Sequence, residues 1–287
     1  MNYITLIQNR RSAREFTDTA VGADLLNAIW EYYHLSCRHL VPEIGTGLAI
    51  FGAQAQKALE GAAGYHNFLV GAPHYMVLLS EPHPQAHINA GFMMQDMLLK
   101  LQDLGLDSCW ITFGSSELIK QELGIDSPLD VAAIAAFGYG KKAPRRLRLN
   151  ILTMSQVDIR GKRHYFEPKR ALQDLVFADT WENTHGVEER IGFFDDMLWE
   201  AFYAASLAPS YLNRQAYGFL LREGGVTLVR RPDEYTTDID GDLSLGAVLL
   251  HFTAVAEMWA GKLHWDLGIA KKADLPPGHS AVAECIL

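Results

Sequence analysis

Two long stretches of the chain carry an apolar stripe at helical spacing. Residues 87–104 place Phe92, Met94, Met97, Leu98 and Leu101 on one face, with Gly105 positioned to end the helix. Residues 242–260 do the same with Leu245, Val248, Leu249, Phe252, Val255, Ala256 and Trp259. Two more helices are predicted over 22–40, with Leu25, Leu26, Ile29, Trp30 and Tyr33 apolar, and over 195–208, stopped by Pro209. Short apolar runs at 75–80 and 130–137 predict buried strands, the second closed by Gly138-Tyr139-Gly140. Residues 218–230 predict a hairpin turning at Gly224-Gly225, and 280–287 a terminal strand. The polar, basic stretch 141–165 reads as a linker.

The pattern repeats within the chain. Gly91 stands 19 residues before Trp110, and Gly246 stands 19 residues before Trp265, each pair bracketing a long apolar helix. Trp30-Glu31 and Trp199-Glu200 fall in helices that precede comparable turn regions. This suggests a duplication with halves 1–161 and 162–287.

Composition narrows the classes. The 287 residues are 49% hydrophobic and 21% charged, enough for a sizeable core. A net charge of −9 argues against nonspecific nucleic-acid binding. Three cysteines without CxxC spacing suit a reduced, cytoplasmic setting, and no secretory leader is expected. The apolar span 243–261 is broken by His251 and Glu257, which favours a buried helix over a membrane span. His34, Cys37 and His39 cannot share one helix face and have no evident fourth ligand, so no metal is expected. Neither a Gly-x-Ser-x-Gly elbow nor a Gly-x-Gly-x-x-Gly fingerprint occurs.

The candidate chemistry lies in two segments about two hundred residues apart. Arg10, Arg11, Ser12 and Arg14 concentrate three guanidinium groups and a hydroxyl, which suits a phosphate. A surface arginine patch would look the same. Pro209, Ser210, Asn213 and Gln215 form a turn whose amides offer paired donors and acceptors to the edge of a polar heterocycle. An ordinary capped loop is the alternative.

The order Arg-Arg-Ser-x-Arg-x-Phe (10–16), Gly-Ala-Pro (71–73), Gly-Leu-x-Ser-Cys-Trp-Ile (105–111) and Gly-Tyr-Gly (138–140) resembles one subunit of the FMN-dependent nitroreductase family. The first half lacks that family's Pro-Ser-x-x-Asn-x-Gln turn, which appears at 209–215 in the second. The second half in turn keeps only Lys169-Arg170-Ala171 where an arginine motif would stand. The chain therefore resembles the single-chain, pseudo-dimeric branch of the family. That resemblance implies an α+β nitroreductase fold, a mostly antiparallel sheet flanked by helices, duplicated to mimic the family's dimer around one FMN. By position, Arg10, Arg11, Ser12 and Arg14 would hold the phosphate and ribityl chain, and Ile111, Thr112 and Phe113 would lie along the ring. Pro209, Ser210, Asn213 and Gln215 would approach from the second half. A later basic cluster, with Lys162 and Arg163 as one choice, would complete the phosphate site. The family's usual Pro-Trp after the glutamine is Ala216-Tyr217 here. The implied activity is hydride transfer from NAD(P)H through flavin N5 to a small acceptor such as a nitroaromatic or quinone, by a monomer and with no dedicated catalytic side chain. A flavin-handling protein without turnover is the alternative.

Overall fold

The computed structural model describes residues 1–66, 68–141, 146–153, 156–162, 169–191, 195–268 and 274–287, with backbone alone over 146–162 and at Asp195. Each half builds a sheet and lends a central helix to a shared core. In the first half, β1 (Thr46–Gly52), β2 (His74–Ser80), β3 (Asp107–Ile111) and β4 (Asp130–Gly138) form an antiparallel sheet ordered β1-β2-β4-β3. In the second, β7 (Val176–Ala178), β8 (Tyr217–Arg222), β9 (Gly225–Arg230), β10 (Trp265–Asp266) and β11 (Ser280–Ile286) are ordered β10-β11-β9-β8-β7. All neighbours there are antiparallel except β7 and β8. Counted from β1 and from β8, both sheets run first, second, fourth, third. A long helix joins second to third strand in each: α4 (Ala86–Asp103) and α8 (Asp238–Ala260).

These two helices cross at the centre of the molecule, and glycine lets them. A Cβ on Gly91 would run into the carbonyl oxygen of Leu243, and one on Gly246 into that of Ile88. The cores interpenetrate around this crossing. Ile88, Phe92 and Leu99 pack with the second half, and Leu243 packs with the first. By length and composition α8 could cross a membrane, yet 72% of its most apolar window is buried inside the protein, as in a core helix. We predict that Gly91→Ala or Gly246→Ala lowers stability by about 2–3 kcal/mol, because both clashes are with backbone and force the helices apart. Gly241→Ala, in the first turn of α8 with only ordinary contacts around the new methyl, should be neutral or slightly stabilising. Thermal melts of the three variants check the contrast.

The expected helices and strands are present, with instructive differences. The helix expected over 22–40 is α2 (Ala23–Leu35). It ends early because side chains of α4 capture the following backbone amides. Arg38 N donates to Asp96 Oδ2, and Leu40 N and Val41 N both donate to Asn89 Oδ1, each at 3.0 Å. The buried Asp96 carboxylate also accepts the hydroxyls of Tyr3 and Tyr32 at 2.8 Å, tying α1 (Tyr3–Asn9) and α2 to α4. The α8 helix begins four residues before the expected start, since Thr237 caps it by accepting from Asp240 N at 3.1 Å. The hairpin register pairs Arg222 with Gly225, so its turn is Glu223-Gly224 rather than Gly224-Gly225. Gly224 takes the left-handed conformation, φ +72°, that such a turn requires. The stretch read as a linker contains an antiparallel hairpin, β5 (Arg146–Thr153) and β6 (Gln156–Lys162), and the division expected at 161/162 falls inside β6.

Candidate functional site

The N-terminal arginines are laid along the edge of the first sheet. The α1 helix is capped by Asn2, whose side chain accepts from Thr5 N, and it ends as Arg10 turns extended at φ −61°, ψ 131°. The next residues hold to β3 and the end of β4. Ser12 bridges Ser108, Ala13 N donates to Ser108 O at 3.0 Å, and Phe16 pairs with Gly140. Although Arg10 keeps partial exposure as a residue, its Nε and Nη2 are buried and have no hydrogen-bond partner among the described residues. Burial pulls its pKa down to about 10. Beside it, burial pushes the Cys109 thiol up while Arg10 and Arg14 pull it down. Burial lowers the pKa of Arg11 while the exposed Tyr203 of α7 (Asp195–Ser206) opposes the fall, so this part of the cationic segment lies near the second half.

The second half presents the other predicted segment there. Past α7, Lys169 Nζ donates to Ala208 O at 2.9 Å, a cation seated just past the C-terminal end of a helix. Lys169 and Arg10 both depress the pKa of the buried His251, so they approach it together. Pro209 leads into a tight turn in which Leu212, Asn213 and Gln215 all have positive φ, between +47° and +56°. Such conformations cost energy in side-chain-bearing residues and concentrate where a precise shape is needed. The turn is over-determined: Gln215 N donates to Ser210 Oγ at 3.1 Å and Asn213 N to Ser210 O at 2.9 Å. Gln215 itself is 1% exposed. Its Oε1 accepts from Arg170 N at 2.8 Å and its Nε2 donates to Ser206 O at 3.2 Å. Its amide is thus engaged inside the turn instead of offering its edge to a ligand.

The wall between these segments is the end of β3. Ile111 and Phe113 point into the first-half core, whereas on the other face Trp110 meets α4 and Thr112 reaches α8 of the second half. Thr112 Oγ1 donates to the Asp240 carboxylate at 2.8 and 3.0 Å. Asp240 also accepts from Thr237 Oγ1, at 2.8 Å. Burial raises its pKa while the two hydroxyls oppose the rise. On the same side, Tyr211 N donates to Ser244 Oγ at 3.0 Å, and the rings of Tyr65 and Tyr211 meet edge-on at 6.3 Å. Asp240, Tyr65 and the buried His251 are therefore residues of this region that sequence reasoning missed. None carries a local motif, and only the fold brings them here. Thr112→Val should remove one hydroxyl from a buried carboxylate and cost about 1–2 kcal/mol, read by urea denaturation at neutral pH.

Of the predicted residues, Arg10, Arg11, Ser12 and Arg14 lie on the segment held to β3, the strand that leads into Ile111, Thr112 and Phe113, and Pro209, Ser210, Asn213 and Gln215 form one turn of the second half; across the boundary Thr112 reaches Asp240 and Tyr65 meets Tyr211. Lys162 ends β6 with only its backbone described, and Arg163 lies outside the described residues. A cavity of about 180 Å³ beside the turn is lined by second-half residues alone. Two of its arginines are ion-paired, Arg214 with Asp233 and Arg230 with Asp242, while Arg231 donates to Asp174 O and keeps its Nε buried without a partner among the described residues. Among the described residues no cluster of metal-ligating side chains occurs. His34 stacks on Trp30 at 5.7 Å, and Cys37 is partly buried.

Comparison with known proteins identifies the family and the fold. The family model described as "Putative TM nitroreductase" matches residues 2–256. The structure of a nitroreductase-family protein from Thermotoga maritima MSB8 covers 100% of this chain, and 94% of its own length is matched, at 17% identity and a TM-score of 0.59, which shows a common fold. A nitroreductase family protein from Clostridium novyi NT matches 49% of this chain and 86% of its own at 20% identity and a TM-score of 0.43. An FMN-dependent nitroreductase from Clostridium difficile R20291 matches 49% and 89% at 21% identity and a TM-score of 0.40. No curated protein matches the sequence. With its family model spanning all but the last part of the second half, the chain belongs to the nitroreductase family.

Proposed function

We propose that this protein is an FMN-dependent oxidoreductase that takes a hydride from NAD(P)H and delivers it to a small acceptor such as a nitroaromatic or a quinone. The observation that carries the reading is the Arg10 guanidinium, whose Nε and Nη2 are buried without an acceptor among the described residues. An unpaired buried cation is costly. A phosphate dianion supplies both the charge and the oxygens that Arg10 lacks. In this reading Ser12 and Arg14, on the same segment, share that phosphate, and Lys169, which like Arg10 acts electrostatically on His251, takes the part expected of a later basic cluster.

Bound FMN supplies reversible hydride chemistry at its ring, and the protein supplies binding and orientation. In this reading Ile111–Phe113 form the wall along the ring, and Thr112 is held to that wall by its bond to Asp240. The strained turn around Ser210 and Asn213 forms the opposite edge, with Gln215 as its internal brace. The looser Ala216-Tyr217 does not leave a void, since Tyr217 is 1% exposed and donates its hydroxyl to Ala205 O at 3.1 Å.

The two halves are proposed to descend from one duplicated unit that now makes a single site. Their shared strand order, the paired helices α4 and α8 and the complementary retention of site segments support this. A monomer of 32.0 kDa carrying one FMN is the expected species. The test is the visible spectrum and flavin count of purified protein, followed by anaerobic NADH and NADPH. One FMN per chain, bleached by a nicotinamide and restored by menadione, is expected. Two flavins per chain would overturn the single-site reading. A flavin that stays oxidised under both donors would overturn the reductase reading.

A further inference from the structure

We propose that the buried chain Trp110–Gln95–His251 is a positioning device that fixes the separation of the two walls of the cofactor cleft; it rests on the FMN reading above. The chain begins at the first wall. Trp110 directly precedes Ile111–Phe113, and its indole Nε1 donates to Gln95 Oε1 of α4 at 3.1 Å. Gln95 Nε2 donates to His251 Nε2 of α8 at 2.8 Å. His251 Nδ1 then donates to Ala204 O of α7 at 2.9 Å. Ala204 lies in the last turn of α7, which passes through the buried Ala208 into the Pro209–Gln215 turn, the second wall. Two side chains thus span from one wall to the other, through the crossing of the central helices.

Every hydrogen in this path has one possible place. The Ala204 carbonyl only accepts, so the imidazole proton is on Nδ1 and Nε2 carries the lone pair. Gln95 must then turn its NH₂ toward His251, which leaves its oxygen for the indole N–H, a group that only donates. Gln95 and His251 are each 0% exposed, so no water can substitute for a missing partner. A neutral imidazole is required, and burial together with Arg10 and Lys169 keeps it neutral, pushing its pKa down to about 3.

A fully satisfied polar chain adds little net stability over an apolar pair of the same volume. What it adds is direction and length. An apolar core would allow α7 and β3 to slide against one another, whereas this path holds the end of β3 and the end of α7 at one distance. The cofactor cleft is built on those two ends, and small displacements of supporting residues are enough to weaken a site.

The test compares Gln95→Leu, Trp110→Phe and His251→Gln with the wild type. FMN affinity is measured by fluorescence quenching well below each melting temperature, together with the visible circular dichroism of the bound flavin. Gln95→Leu and Trp110→Phe should stay folded, raise the Kd for FMN about tenfold or more and alter the flavin dichroism. His251→Gln can donate to Ala204 O and accept from Gln95, so it should stay within about threefold of wild type. Trp110→Phe keeps an aromatic ring at the site while removing the indole N–H, so it provides the result if Gln95→Leu fails to fold. A lowered melting temperature with wild-type Kd and dichroism in the broken variants would mean the chain only supports the fold, and the proposal would fall. A wild-type protein that binds no FMN would instead overturn the cofactor reading, and this proposal with it.

Discussion

Arg10→Met should abolish FMN uptake and, at the same time, raise the melting temperature of the cofactor-free protein. Both effects follow from the same two atoms. Arg10 Nε and Nη2 are buried and make no hydrogen bond among the described residues, so the apo fold bears the desolvation of a cation with little return. Burial is the largest influence lowering its pKa to about 10, and the neighbouring Arg11 pushes in the same direction. Methionine fills a similar volume without charge, and replacing buried ionic groups by apolar ones is often stabilising by about 1–4 kcal/mol. For a protein of this size that corresponds to a rise of roughly 2–8 °C. In the presence of FMN the balance reverses. Two charge-assisted hydrogen bonds to phosphate are worth about 1.5–3 kcal/mol each, so their loss should weaken binding by about 10²–10⁴-fold. Scanning fluorimetry without ligand and FMN titration of the same two samples decide the matter. If the variant is destabilised in the apo form, Arg10 has a structural partner role and the argument fails. If it binds FMN as tightly as wild type, the phosphate sits elsewhere.

The same residues show what a sequence can and cannot reveal here. The long helices were legible because α4 and α8 are apolar over nearly their whole length, and so were β2, β4 and β11. The two site segments were legible because their chemistry is local: three arginines in five residues, and a turn of short polar side chains. What escaped is set by distant partners. The early end of α2 depends on Asn89 and Asp96 of α4 capturing backbone amides. The β5–β6 hairpin lies in a stretch whose basic residues suggest a linker, although 146–151 and 156–160 alternate polar and apolar as strands do. Gln215 read as a ligand group because it stands in a polar turn, yet Arg170 and Ser206 occupy its amide from either side. The role of Asp240 depends on Thr112, 128 residues away. His251 was noticed only as an interruption in an apolar span. Nothing in its neighbours along the chain indicates that it meets Gln95 and Ala204, because both arrive through the crossing of α4 and α8.

That buried histidine also carries the second large expectation, a crossing of two stability curves. In the folded protein the imidazole stays neutral down to about pH 3, while an unfolded histidine takes up a proton near 6.5. The folded pKa is the lower one, so this group's contribution is complete above about pH 7 and is lost as the pH falls from 6.5 toward 3. The loss is about 1.4 kcal/mol per pH unit, or nearly 3 kcal/mol by pH 4.5 and about 5 kcal/mol at its limit. His251→Gln removes the titration and keeps the hydrogen-bonding pattern, at a cost of about 1–2 kcal/mol for imperfect reach near neutral pH. Carboxylates and the remaining histidines contribute alike to both proteins and cancel in the comparison. Wild type should therefore be the more stable protein at pH 7.5 and the less stable one at pH 4.5, with the curves crossing between about pH 5 and 6. Urea denaturation of the two apo-proteins at four pH values across this range measures the difference directly. Curves that stay parallel would show that the folded state admits the proton. The path from Trp110 through Gln95 would then have to rearrange, since a protonated His251 would set an N–H against the N–H of Gln95.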